Sequence, residues 1–132
     1  MSKSRQTKDG ELILDSHKLA HHMDTIEAWE SGEKFAPITV DMALTRACGS
    51  MCKFCYATMQ ESQKRYGIKE AHALNLLDDF AEIGVKAVSL VSDGESTLSK
   101  SYAPFIEHAS NIGIDTGNAT NAWKFGPEKR ER

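Results

Sequence analysis

Short β-rich runs alternate with amphipathic helical stretches along this chain, and that alternation leaves few folds open. After Pro37, the residues Ile38, Val40, Met42 and Leu44 alternate with smaller or polar ones, which predicts a strand over 38–44. A helix is predicted from about Lys69 to Ile83, with Leu74, Leu77, Phe80 and Ala81 on its buried face and Gly84 where a C-terminal cap belongs. Lys86 to Val91 is a second β-rich run. A further helix starts near Pro104 and ends at Gly113, its apolar side made by Phe105, Ile106, Ala109 and Ile112. Ile114 to Ala119 reads as a third, weaker strand. Upstream, Leu12, Leu19, Met23 and Ile26 give helical spacing from Glu11 to Trp29, with Ser31-Gly32 as the stop. Strands joined through helices of this length imply right-handed crossovers and a parallel sheet, hence an α/β fold. Ligands in such folds gather at the carboxyl ends of the strands.

The three cysteines sharpen that picture. All lie within eight residues, as Cys48-Gly-Ser-Met-Cys52-Lys-Phe-Cys55, on the loop that follows the first strand. A disulfide scaffold would spread an even number along a secreted chain, so the cluster points to a metal site in a reducing compartment. Soft thiolates suit iron or zinc, and spacings of three and two residues let one loop wrap a corner of a cubane-sized iron–sulfur cluster. Three thiolates cannot serve four irons, so one iron would stay open to a small molecule or take another ligand. Two other segments fall at strand ends: Asp93-Gly94-Glu95 after the second and Thr120-Asn121 after the third.

Charge and hydropathy exclude other classes. The formal net charge is −3, which gives no bulk electrostatic case for a nucleic-acid partner or an anionic membrane surface. No apolar run approaches the roughly 20 residues that span a bilayer, and no signal-peptide segment follows the polar start, so a cytoplasmic location is the default expectation.

Cys48-x3-Cys52-x-Phe54-Cys55 at the end of a first strand resembles the signature of the radical S-adenosylmethionine (SAM) superfamily, including the aromatic residue before the last cysteine. Asp93-Gly94-Glu95 is similar to that family's Gly-Gly-Glu segment, with Asp93 where the first glycine is common. Thr120-Asn121-Ala122 is similar to the Thr-Asn-Gly that often ends the third strand, with Ala122 replacing glycine. The resemblance implies that Cys48, Cys52 and Cys55 ligate a 4Fe–4S cluster whose open iron is chelated by the amino and carboxylate groups of SAM. It implies further that Asp93, Gly94 and Glu95 help hold the SAM amino group, that Phe54 contacts the adenine, and that Thr120 and Asn121 belong to the cofactor site. Reductive cleavage of SAM to a 5′-deoxyadenosyl radical, hydrogen abstraction from a substrate not legible here, and a low-potential donor of flavodoxin or ferredoxin type are the family's chemistry.

The family fold is a partial TIM-like barrel of six β/α units. Scaling an eight-unit barrel of about 250 residues to six units gives roughly 190. The expectation is therefore an N-terminal tail and helix over 1–34, then residues 35–132 as the first half of a (β/α)6 core domain that stops after its third strand. Plainer readings stay open. One is a non-enzymatic iron–sulfur or zinc module, although no second Cys-x2-Cys or His-x3–5-His pair follows the loop and His72 and His108 are isolated. Another is an inactive truncated remnant. His17 and His21, four apart, could share a helix face; Asp93-Gly94 alone would be a turn pair; Phe54 and Tyr56 could be packing aromatics.

Overall fold

The computed structural model describes residues 22–50, 52–59, 66–91 and 93–125. The chain forms two compact units, Met1–Pro37 and Ile38–Arg132. In the first, helix α1 covers Met23–Glu30 and buries no residue. It ends where Ser31 folds back, its hydroxyl donating to the Ala28 carbonyl at 3.0 Å. The rest of the predicted helix, from Glu11 through His17 and His21, lies outside the described residues, as does the charged tail from Gly126.

The second unit contains strands β1 (Thr39–Asp41), β2 (Ala87–Leu90) and β3 (Asp115–Asn118), joined through helices α2 (Glu70–Ile83) and α3 (Tyr102–Ile112). The sheet is parallel throughout, in the order β1-β2-β3. Both helices stop at glycines, Gly84 and Gly113, whose φ values of 95° and 79° are left-handed and favour a residue without Cβ. The core gathers Leu44, Ala73, Leu77, Val88, Leu90, Phe105, Ala109 and Ile114, so α2 and α3 pack together against the sheet face that carries Val88 and Leu90.

Pairing runs Val40 to Val88 to Thr116 on that face, and Asp41 to Ser89 to Gly117 on the opposite one. No helix among the described residues of this unit covers the opposite face. All four residues of β3 are exposed.

The first strand is shorter than the alternation predicts. Met42 still donates to the Ser89 carbonyl at 2.9 Å, but Thr45 then bridges Gly67 in antiparallel fashion. The alternating apolar residues therefore serve two neighbours in succession. Met42 is half-buried against the core and Leu44 fully inside it. No helix among the described residues is long and apolar enough to cross a membrane.

Leu77→Ala removes a fully buried side chain from this small core and is expected to cost about 2–5 kcal/mol in denaturant unfolding. Ile83→Ala, on the exposed side of α2, is expected to change stability by about 0.5 kcal/mol or less.

Candidate functional site

The carboxyl end of each strand opens into one of the three segments singled out in the sequence. The segment after β1 is fixed before it reaches the cysteines. Arg46 donates its backbone N–H to the Tyr66 carbonyl at 2.7 Å, and Ile68 donates to the Leu44 carbonyl at 3.0 Å. The Thr45 hydroxyl donates to Tyr66 O at 3.2 Å and accepts from the Ala47 N–H at 3.0 Å. Beyond this anchor, Cys48 and Cys55 are half-buried and Cys52 is exposed, and none of the three forms a disulfide. The Ser50 N–H donates to Cys48 Sγ at 3.4 Å, and Cys55 N–H donates to the Cys52 carbonyl at 3.1 Å. Phe54 projects from this loop 87% exposed.

Asp93-Gly94-Glu95 lies directly against the start of the cysteine loop. A Cβ on Gly94 would run into the Thr45 carbonyl and come within 2.8 Å of the Ala47 carbonyl, so glycine here provides room for one backbone to touch another. Glu95 N–H donates to that Ala47 carbonyl at 2.9 Å. The Asp93 carboxylate lies 3.5 Å from Arg46 Nε and also accepts a hydrogen bond from the Tyr56 hydroxyl. That bond, and the negative charge behind it, raise the Tyr56 pKa above its ordinary value.

Glu95 departs from the picture of a solvent-facing turn residue. It is only 3% exposed, and its carboxylate is turned inward. Oε1 accepts from the Thr97 hydroxyl at 2.7 Å, the Thr97 N–H at 3.2 Å and the Thr120 hydroxyl at 2.6 Å. Oε2 accepts from the Asn121 N–H at 2.8 Å. Burial alone would raise its pKa; the hydrogen bonds from Thr120, Thr97 and Asn121 outweigh burial and hold the carboxyl below its ordinary 4.5. Thr120 and Asn121 thus sit beside Glu95, each through a direct bond. The Asn121 side-chain amide goes on to donate to Ser50 Oγ at 2.9 Å, inside the cysteine loop.

The sequence reading missed Ser50, Arg46, Thr97 and Trp123. Thr97 had a local signal, because an acidic residue two positions before a threonine can cap a turn. The Ser50–Asn121 bond spans 71 residues and has none.

Among the described residues, no three His, Cys, Asp or Glu side chains converge as the ligands of a single ion do. Thiolates that hold a four-iron cluster each sit on a different iron and stand further apart than ligands sharing one ion. Three cysteines on one short loop, none in a disulfide and one already accepting an N–H bond, are a donor set that fits such a cluster.

Glu95→Gln would set an amide NH2 against one of the donors that now meet a carboxylate, leaving one bond unmade at a cost of about 1–3 kcal/mol at neutral pH. Because the folded pKa of Glu95 lies below the unfolded one, the ionised carboxylate contributes stability that is fully present above about pH 4.5 and is lost as pH falls through the folded value. Thermal unfolding of the two proteins across pH 3–7 checks this, and the gap between them is expected to narrow on the acid side. Gly94→Ala is expected to lose about 1–3 kcal/mol or more, since the new methyl meets backbone rather than a movable side chain.

No family model matches the chain. It is 30% identical over 95 residues to an S-adenosylmethionine-dependent nucleotide dehydratase of Flammeovirga pacifica, covering 69% of this chain and 32% of that protein. It is 29% identical over 86 residues to a PqqA peptide cyclase of Bradyrhizobium diazoefficiens, covering 65% of this chain and 22% of that one. The chain thus spans about a third or less of the length of these relatives. Among solved structures, it superposes on Streptococcus suis SuiB bound to precursor peptide SuiA with a TM-score of 0.64 at 18% identity, covering 92% of this chain and 28% of SuiB. The α/β fold is shared with that structure. Together with the cysteine spacing at the end of β1, this kinship makes the chain a member of the radical S-adenosylmethionine superfamily, matching the N-terminal part of its core domain.

Proposed function

We propose that this chain is the cluster- and SAM-binding end of a radical SAM enzyme. Cys48, Cys52 and Cys55 hold a 4Fe–4S cluster and leave one iron to the amino and carboxylate groups of SAM. The observation that carries this reading is the joining of the three strand-end segments by direct bonds, Glu95 to Thr120 and Asn121, and Asn121 to Ser50. They form one rim, and the cysteine loop is part of it.

Within that rim the residues take different roles. Cys52, the most open of the three thiols, faces the solvent side. The segment Asp93 to Glu95 offers backbone carbonyls to an ammonium, with the buried Glu95 charge behind them. Asp93 acts through Arg46 and Tyr56, fixing the two ends of the cysteine loop to the β2 side. Phe54 supplies an exposed ring for the adenine face. Thr120 and Asn121 close the third side. Held there, cluster and SAM would supply one-electron radical chemistry at a substrate C–H bond.

The two β/α units and the third strand form an arc of a partial barrel, with the face of Asp41, Ser89 and Gly117, bare of helices among the described residues, turned to its inside. A parallel sheet left bare on one face is unusual alone and natural as part of a closed or part-closed barrel. A peptide is the substrate class supported by the PqqA peptide cyclase and by SuiB with its precursor, and a nucleotide the class supported by the dehydratase relative. The electron comes from a low-potential flavodoxin or ferredoxin.

Anaerobic reconstitution with iron and sulfide, followed by EPR of the reduced chain with and without SAM, tests the reading. The expected result is a 4Fe–4S signal that changes when SAM is added and vanishes in Cys52→Ala. Stoichiometric zinc uptake with no cluster would overturn it.

A further inference from the structure

The segment after β3 grips the cysteine loop at its first corner through the Asn121–Ser50 bond and through Trp123, a residue the proposed cofactor contacts do not use. Gly49 stands between Cys48 and Ser50, and its φ is not among the left-handed ones, which belong to Gly32, Gly84 and Gly113. What lies close at 49 is therefore a side chain packed on the backbone. It is the six-membered ring of Trp123: a Cβ on Gly49 would collide with Cζ3 and come within 2.8 Å of Cε3. Trp123 is otherwise 71% exposed, so its ring lies on this corner and outside the core.

The turn that carries Trp123 is tightly wound. Ala122 has φ 59°, a left-handed conformation uncommon for a residue with Cβ. Thr120 Oγ1 accepts from Ala122 N–H at 3.0 Å, and Asn121 Oδ1 accepts from Trp123 N–H at 3.0 Å. The other end of the same amide donates to Ser50 Oγ at 2.9 Å. Ser50 in turn donates its N–H to Cys48 Sγ. A continuous line of contacts thus runs from buried Glu95 through Thr120 and Asn121 to the first cysteine, with the Trp123 ring seated on the residue between.

We infer that Trp123 and Asn121 are positioning residues for the Cys48–Cys52 corner of the loop, setting how Cys48 presents its sulfur to the cluster. The inference rests on the cluster reading above, and its test separates the two. Trp123→Ala, Trp123→Phe and Ser50→Ala are compared with the unmodified 132-residue chain, after circular dichroism has established folding. Two quantities are read: the alkylation rate of Cys48 in the metal-free reduced chain, by mass spectrometry, and the rate at which a chelator strips iron from the reconstituted chain, alongside its EPR line shape.

Removing the ring is expected to speed Cys48 alkylation and to accelerate iron loss by about 10-fold or more, with a shifted EPR signal, as outer-shell partners of metal ligands do when lost. Trp123→Phe, which keeps a ring over Gly49, is expected to restore most of both. Ser50→Ala is expected to fall between them and keeps the test decisive if Trp123→Ala fails to fold. Unchanged alkylation and iron loss in the folded variants would overturn the inference. If the unmodified chain takes up no cluster, the cluster reading fails, and Cys48 alkylation alone decides whether Trp123 and Asn121 hold this corner.

Discussion

A carboxylate withdrawn from water and given four hydrogen-bond donors holds the rim of this molecule together. Burial of the Glu95 side chain would be costly if the charge were unpaired, since an isolated buried carboxylate neutralises itself by shifting its pKa upward. Here the donors come from two loops, Thr97 on its own and Thr120 with Asn121 on the next, and the pKa moves down instead. The charge thus becomes the reason why the ends of β2 and β3 stay together. Its backbone carries the tie one loop further, through Glu95 N–H to Ala47 and the close approach at Gly94. Three loops that could each move alone are linked through one residue.

A second line of contacts runs along the other side of the cysteine loop. Arg46, Asp93 and Tyr56 join the residue before the cysteines to the residue after them by way of the β2 end. The loop is thus held at its first corner by the β3 segment and at its last cysteine by the β2 segment. Between these grips Cys52, Lys53 and Phe54 are exposed, which leaves the face of the loop open to a ligand while its ends are fixed. Catalytic and binding groups do sit on loops held by a rigid scaffold. In this molecule the scaffold is a three-stranded sheet whose helices cover one face.

The periodic parts of this architecture were legible in the sequence. Leu77, Phe105 and Ala109 are buried where helical spacing puts them, and Gly84 and Gly113 end their helices as the cap rule expects. The three site segments do lie at strand ends. The reading erred where a pattern served two purposes. Residues 38–44 alternate throughout, yet the strand is Thr39–Asp41, because the chain beyond it turns to pair with Gly67, a segment with no strand signal of its own. The inward turn of Glu95 was hidden for a related reason. Asp-Gly-Glu after a strand looks like a solvated turn, and only the distant Thr120 and Asn121 make its burial tolerable. Contacts such as Trp123 on Gly49 are set by the fold as a whole and leave no local trace.

The central claim is that the rim built on Glu95 brings SAM onto a cluster held by Cys48, Cys52 and Cys55. Electron–nuclear double resonance on the reduced, reconstituted chain with SAM labelled by 15N at its amino group measures this directly. The account predicts a hyperfine coupling between the cluster spin and that nitrogen. A cluster signal with no coupling to the labelled nitrogen, at SAM concentrations that saturate the protein, would contradict it.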